Sequence, residues 1–215
     1  MAARNLQPGV QAVGVLDWDK PLFDDLIPLP EGTSYNAYLV KGRDKVALLD
    51  TVDRAFADEL LANLAAAGVS KLDYVVSQHA EQDHSGSLPA VLARFPEAKV
   101  VTNQKCAELL KMHVHLPAEA GTLIKDGDTL DLGGRTLQFI FAPWVHWPET
   151  MFTHLREDKI LFTCDFLGAH RATSDLFADD EAQAHLAAKR YYAEIMMPFR
   201  DWAATSRRSK RWGQR

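Results

Sequence analysis

The chain reads as a mixed α/β sandwich in which helices cover sheets. Two observations carry that expectation. Short apolar strands alternate with Ala- and Leu-rich helical segments in the first half, and hairpin-like strand pairs joined by glycine or charged turns fill the second. The size agrees: 215 residues, 47% hydrophobic and 25% charged, suit one globular domain with a sizeable core.

Taken in order, residues 34–40 (SYNAYLV) and 45–50 (KVALLD) are expected to pair as strands across the turn Lys41-Gly42-Arg43-Asp44. Residues 56–67 form a helix that Gly68 stops. A mostly apolar strand follows at 72–77, and then a polar segment from His79 to Ser87. Residues 88–95 are helical, with Pro89 tolerated in the first turn. A strand at 100–102 leads into a helix at 103–112, for which Asn103 is the cap. Strands are expected at 128–132, 136–141, 151–155 and 159–162, and the last strong helix spans 181–197, ended by Pro198. There is no internal repeat and no low-complexity linker.

Several function classes fall away on composition. No run of about 18 apolar residues is present, so no membrane span is expected. The first residues, MAARNLQPGVQAVG, lack the apolar core of a signal peptide. Two cysteines, Cys106 and Cys164, suit a reducing compartment, and a cytoplasmic location is expected. A net charge of −5 argues against nucleic acid as a partner. That charge is unevenly spread. Of 24 basic and 29 acidic residues, the last 16 positions hold six bases and one acid, which leaves 18 bases and 28 acids in residues 1–199. The body is therefore −10 and the tail +5. The expected organisation is a metal-binding domain at 1–199 and a basic tail at 200–215.

The chemistry concentrates in His79-Ala80-Glu81-Gln82-Asp83-His84, four metal-ligand side chains within six positions directly after a strand. His79 and Glu81, two apart, point to one side of an extended backbone. Asp83 and His84 fall where the chain turns towards the next helix and can face a second point nearby. Such a cluster can hold two ions a few ångströms apart. Downstream, His146 and Asp165 each sit near a predicted strand end and gain weight from the cluster. The set is imidazole and carboxylate with no required thiolate, which suits iron or manganese and permits zinc. Cys164 is expected to pack as a small hydrophobe, and Trp144 and Trp147 as core. His113, His115 and His185 are read as surface residues and His154 as structural, with His170 a possible hydrogen-bonding neighbour of the site.

The pattern His79-x-Glu81-x-Asp83-His84, with His146 and Asp165, resembles the metallo-β-lactamase-like domain of the flavodiiron proteins (A-type flavoproteins). Glutamate at position 81, where the zinc hydrolases of that superfamily carry histidine, is the distinguishing mark. Further segments share the likeness: Gly32 to Val40, Ser77 to Pro89, Thr150-Met151-Phe152-Thr153, Phe162-Thr163-Cys164-Asp165 and Met196 to Arg200. The resemblance covers about residues 8–200. It implies an αββα sandwich, incomplete at its C-terminus, in which His79, Glu81 and His146 bind one iron, Asp83 and His84 bind the other, and Asp165 bridges them. The implied reaction is reduction of dioxygen to water or of nitric oxide to nitrous oxide. Electrons would come from FMN or a rubredoxin-like donor, and head-to-tail homodimers would bring one chain's FMN to the other's irons. Two parts of the family pattern are missing. The family's further histidine has no counterpart in residues 201–215, and the flavodoxin-like domain that binds FMN does not follow. The expected account is a shortened or frame-shifted member, impaired on its own, with a natural basic tail for an acidic partner as the alternative. The competing functions are a zinc metallohydrolase of the same fold and a non-catalytic, oxygen-binding di-iron module.

Overall fold

The computed structural model describes residues 3–116, 121–177 and 180–201. The N-terminal fifth is a series of short strands: β1 (Arg4–Gln7), β2 (Val10–Ala12), β3 (Val15–Asp17), β4 (Leu22–Phe23), β5 (Ile27–Pro28), β6 (Thr33–Tyr35), β7 (Tyr38–Lys41) and β8 (Val46–Leu49). Strand–helix units follow: α1 (Ala57–Ala66), β9 (Tyr74–Val76), α2 (Gln82–Ser85), α3 (Leu88–Arg94), β10 (Lys99–Thr102), α4 (Gln104–His113) and β11 (Gly121–Leu123). The second half is a meander, β12 (Thr129–Asp131), β13 (Thr136–Phe141), β14 (Met151–Leu155) and β15 (Ile160–Phe162), and then α5 (Glu181–Tyr191).

A seven-stranded sheet runs in the order β1-β2-β7-β8-β9-β10-β11, antiparallel up to β8 and parallel from there on. A four-stranded antiparallel sheet, β12-β13-β14-β15, lies over it. Side-chain alternation along the central strands builds the layers. Leu39, Leu48, Val75 and Val100 face one way and pack with Leu60 and Leu64 of α1, Leu88 and Val91 of α3 and Leu110 of α4. Their neighbours Val40, Leu49, Val76 and Val101 face the other way and meet Leu137, Phe139, Met151 and Leu155 of the small sheet. On that sheet's far side, Phe152 packs with Tyr191, Ile195 and Met196 of the last helical segment. Helix, sheet, sheet, helix is the result, as the sequence predicts.

Three details differ from the sequence reading. Residues 34–40 are not one strand: β6 pairs with β3, whereas β7 pairs with β2 and β8. The chain changes sheets at Asn36 and Ala37, where it crosses Gly14. A Cβ on Gly14 would lie 2.1 Å from the Tyr35 carbonyl oxygen, so only glycine permits the crossing. The last helix stops being α at Tyr191 and continues as a π turn (Tyr192–Met196) and a 3-10 turn (Met197–Phe199). Pro198 lacks a donor and disfavours α geometry before it. The N-terminal strands β1 to β5 and the exposed β11 carry no strand signal in the sequence. Asn103 caps α4 as expected, accepting from the Cys106 N–H at 3.0 Å. Most of the basic tail, residues 202–215, lies outside the described residues. Among the described residues, no helix is long and apolar enough to cross a membrane.

Candidate metal centre

The loops that leave β8, β9, β13 and β15 meet at one end of the two sheets. After β9 the chain is pinned by Asp50, the residue that follows β8. Gln78 donates its backbone N–H to Asp50 Oδ1 (2.7 Å) and its amide to Oδ2 (2.9 Å). His79 is thereby fully buried. Glu81 starts the short helix α2, with its carbonyl accepting from the N–H groups of His84 and Ser85 (3.0 and 2.9 Å). That single turn swings Asp83 and His84 inward. A Cβ on Gly86 would lie 2.5 Å from the Gln82 carbonyl and 2.7 Å from the Arg54 nitrogen, so the turn is packed tightly from behind.

All six residues singled out in the sequence come together. His79 Nε2 lies 3.0 Å from Glu81 Oε2 and 3.3 Å from Asp165 Oδ2. His146 Nε2 lies 3.2 Å from Glu81 Oε2 and 3.7 Å from Asp165 Oδ2. The other oxygen of Asp165 faces elsewhere: Oδ1 is 2.8 Å from His84 Nε2, which is 3.7 Å from Asp83 Oδ2. His79, Glu81, His146 and Asp165 place one ligand atom each within 4.8 Å of one another, a group that could hold an ion. Asp83 Oδ1 is buried with no hydrogen-bond partner among the described residues. An unsatisfied buried carboxylate oxygen beside an imidazole and a second carboxylate fits a cation at that point.

Sequence reasoning missed two acids. Glu149, 2% exposed, accepts from His79 Nδ1 at 2.7 Å and from the Ala80 N–H at 3.1 Å. With Nδ1–H so engaged, His79 turns Nε2 towards the cluster. Asp50 lies 3.5 Å from His84 Nδ1 and forms with His84 and Cys164 a second group of ligand atoms. Their only signal in the sequence is an acid at a strand end or beside a proline. Cys164 is not simply apolar packing: its φ is 52°, and Sγ lies 3.6 Å from His84 Nδ1 and 3.8 Å from Asp165 Oδ2. Trp147 sets its ring edge-on to His79 at 5.1 Å, so it walls the site. Trp144 is 37% exposed and stacks on Phe199, contrary to the core position expected. His113 is half-buried and packs on Trp147, and His185 is exposed as expected.

The electrostatics follow from crowding charges in a buried space. Burial opposes charge on His79, but hydrogen bonds to Glu149 and Glu81 outweigh it and lift its pKa to about 10. His84 is likewise disfavoured by burial yet held well above its ordinary value, chiefly by the Asp165 charge. Glu81 is lowered to about 2, because hydrogen bonds from His146 and His79 overcome its burial. Burial pushes Asp83 up to about 6, with the Asp165 and Glu81 charges adding to it and His84 opposing. Replacing Glu149 by alanine would leave His79 Nδ1–H and the Ala80 N–H without acceptors. Metal affinity, measured by chelator competition, is expected to fall roughly 10–100-fold, and an unchanged affinity would refute the supporting role of Glu149.

Two β-sheets face to face, helices outside, and a His/Asp/Glu cluster on the loops at one end define a β-lactamase-like fold with a candidate metal site. The model of the ODP family beta lactamase matches residues 33–211, and the chain belongs to that family. It is 40% identical over 209 residues to a flavo-diiron protein of Clostridium acetobutylicum, covering 94% of this chain and 52% of that protein. It is 42% identical over 196 residues to a nitric oxide reductase of Moorella thermoacetica, covering 89% and 49%. Among solved structures, the rubredoxin oxygen:oxidoreductase of Desulfovibrio gigas superposes with a TM-score of 0.89 at 33% identity, over 95% of this chain and 51% of that one. The chain thus spans about half the length of the relatives it matches.

Proposed function

We propose that this chain is the metal-binding half of a flavodiiron oxidoreductase and holds two iron ions. His79, Glu81 and His146 hold one ion, Asp83 and His84 the other, and Asp165 lies between them. The observation that carries the reading is the carboxylate of Asp165, whose two oxygens face two different sets of ligand atoms. When bound, a pair of ferrous ions supplies electrons to a diatomic substrate at close range. The chain's own residues fix the spacing of the two sets of ligand atoms. Glu149 sets the tautomer of His79, Asp50 anchors the loop through Gln78, and Trp147 closes one wall.

The substrate is dioxygen, reduced to water, or nitric oxide, reduced to nitrous oxide. The relatives' names, a nitric oxide reductase and an oxygen oxidoreductase, support both. Electrons reach the site from an FMN-bearing or rubredoxin-like donor. The two free cysteines support a reducing, cytoplasmic setting. Glu81 argues against a zinc hydrolase, because a carboxylate in place of imidazole lowers the Lewis acidity of the ion it holds. Metal analysis of protein purified without chelator tests the reading. About two irons per chain, with oxygen or nitric oxide consumption once a reduced FMN-bearing partner is added, is the expected result. Tightly held zinc with ester hydrolysis would overturn it.

A further inference from the structure

We propose that His170 is a proton relay between bulk water and the metal-side cavity. The inference rests on the reading of the site as a centre that reduces oxygen or nitric oxide. Both reactions take up protons: O2 + 4e− + 4H+ gives 2H2O, and 2NO + 2e− + 2H+ gives N2O + H2O. Those protons must reach the ligand cluster from solvent, and the groups that line its cavity set the path.

The route is visible in how two cavities share a wall. One, of about 180 Å3, is lined by Glu81, Asp83, His84 and Asp165. The other, a groove of about 340 Å3 along α5, is lined by Glu31, Arg190 and Glu194. His170 and Tyr191 line both. The His170 ring packs between Phe23 (centroids 4.7 Å apart) and Tyr191 (5.0 Å). Its Nδ1 lies 3.0 Å from the hydroxyl oxygen of Thr33, which also lines the metal-side cavity. Its Nε2 is buried and has no hydrogen-bond partner among the described residues. A Cβ on Gly168 would come within 3.2 Å of the Tyr191 ring, so glycine keeps this wall closely packed.

His170 is also the group at this wall with suitable acidity. Burial, helped by the Lys20 and Arg190 charges and opposed by Asp165 and Glu194, holds it below the ordinary histidine value. The protonated ring is therefore a ready donor. Burial holds the Tyr191 phenol well above its ordinary value, so it keeps its proton. In each cycle the imidazolium gives one N–H proton to a basic oxygen of the reduced substrate. The neutral ring then takes a proton from water in the groove, and no electron passes through it.

The test has one arm without turnover and one with it, both on the full chain. Deuterium exchange at the His170 ring carbon, followed by mass spectrometry on metal-free and zinc-loaded protein, reports its solvent access and pKa. Exchange with a pKa below that of free histidine is expected, and a ring that does not exchange would refute the relay. The second arm mixes iron-loaded chain and excess reduced rubredoxin, a one-electron donor that releases no proton when oxidised, with oxygen and follows proton uptake with an indicator dye. His170→Gln is expected to keep its iron, slow uptake by roughly 100-fold or more, and recover with added imidazole. Uptake at the wild-type rate with an unchanged solvent isotope effect would overturn the proposal. If wild-type protein takes up iron but consumes no oxygen, the functional reading fails, and the exchange arm alone still judges access to His170.

Discussion

Asp165→Ala is expected to strip both ions from the chain, not one. Oδ2 of this residue faces His79 and His146, and Oδ1 faces His84. Removing the carboxylate takes an anionic ligand from each set. It also leaves crowded imidazoles without the charge that keeps His84 protonated in the metal-free state. Loss of a supporting residue costs roughly 10–100-fold in metal affinity, and loss of a shared ligand costs more. Dialysed protein measured by elemental analysis should fall from about two irons per chain to below one. Retention of two would show that Asp165 does not lie between them. The metal-free fold should suffer less, because histidines left without a partner can release their protons.

Metal uptake is expected to release protons and to strengthen steeply with pH. His79 has a pKa of about 10 in the metal-free cluster, so at neutral pH an ion must displace its proton. Apparent affinity should rise about tenfold per pH unit for each proton displaced, and more steeply below about pH 6, where Asp83 is also protonated. The sign for folding is opposite. A histidine raised on folding stabilises the metal-free chain fully below its ordinary value near 6.5, and the benefit disappears as pH climbs through about 10. The gap in stability between metal-loaded and metal-free protein should therefore widen as pH rises. Titration calorimetry in buffers of different ionisation enthalpy counts the protons, and a count of zero would refute the assignment of His79.

The layered fold and the convergence of the six candidate side chains were both legible in the sequence, for different reasons. Strands β7 to β10 are short, mostly apolar runs, with β9 and β10 set between helices, and such runs are what a sheet buried on both faces requires. The ligand cluster shows because four donor side chains share six positions. What stayed hidden depends on distant partners. β1 and β2 (RNLQ and VQA) have no alternation; β2 becomes a strand because β7 offers its edge, and β1 because β2 then offers its own. Asp50 and Glu149 are single acids, and their roles appear only once folding brings them against Gln78 and His79, 28 and 70 positions away. Trp144 misled because size suggests burial, whereas it stacks on Phe199 at the surface.

The proposed ligand residues come from both sheets. His79, Glu81, Asp83 and His84 follow β9 of the large sheet, and His146 and Asp165 follow β13 and β15 of the small one. A metal pair held by all six would rivet the two layers at one end, while the apolar contacts of Val76, Val101, Phe139 and Met151 join them along their faces. Loading would then raise the barrier to prying the sheets apart. Chelation should register as faster amide exchange in β14 and β15, before any loss of the helices that flank the large sheet.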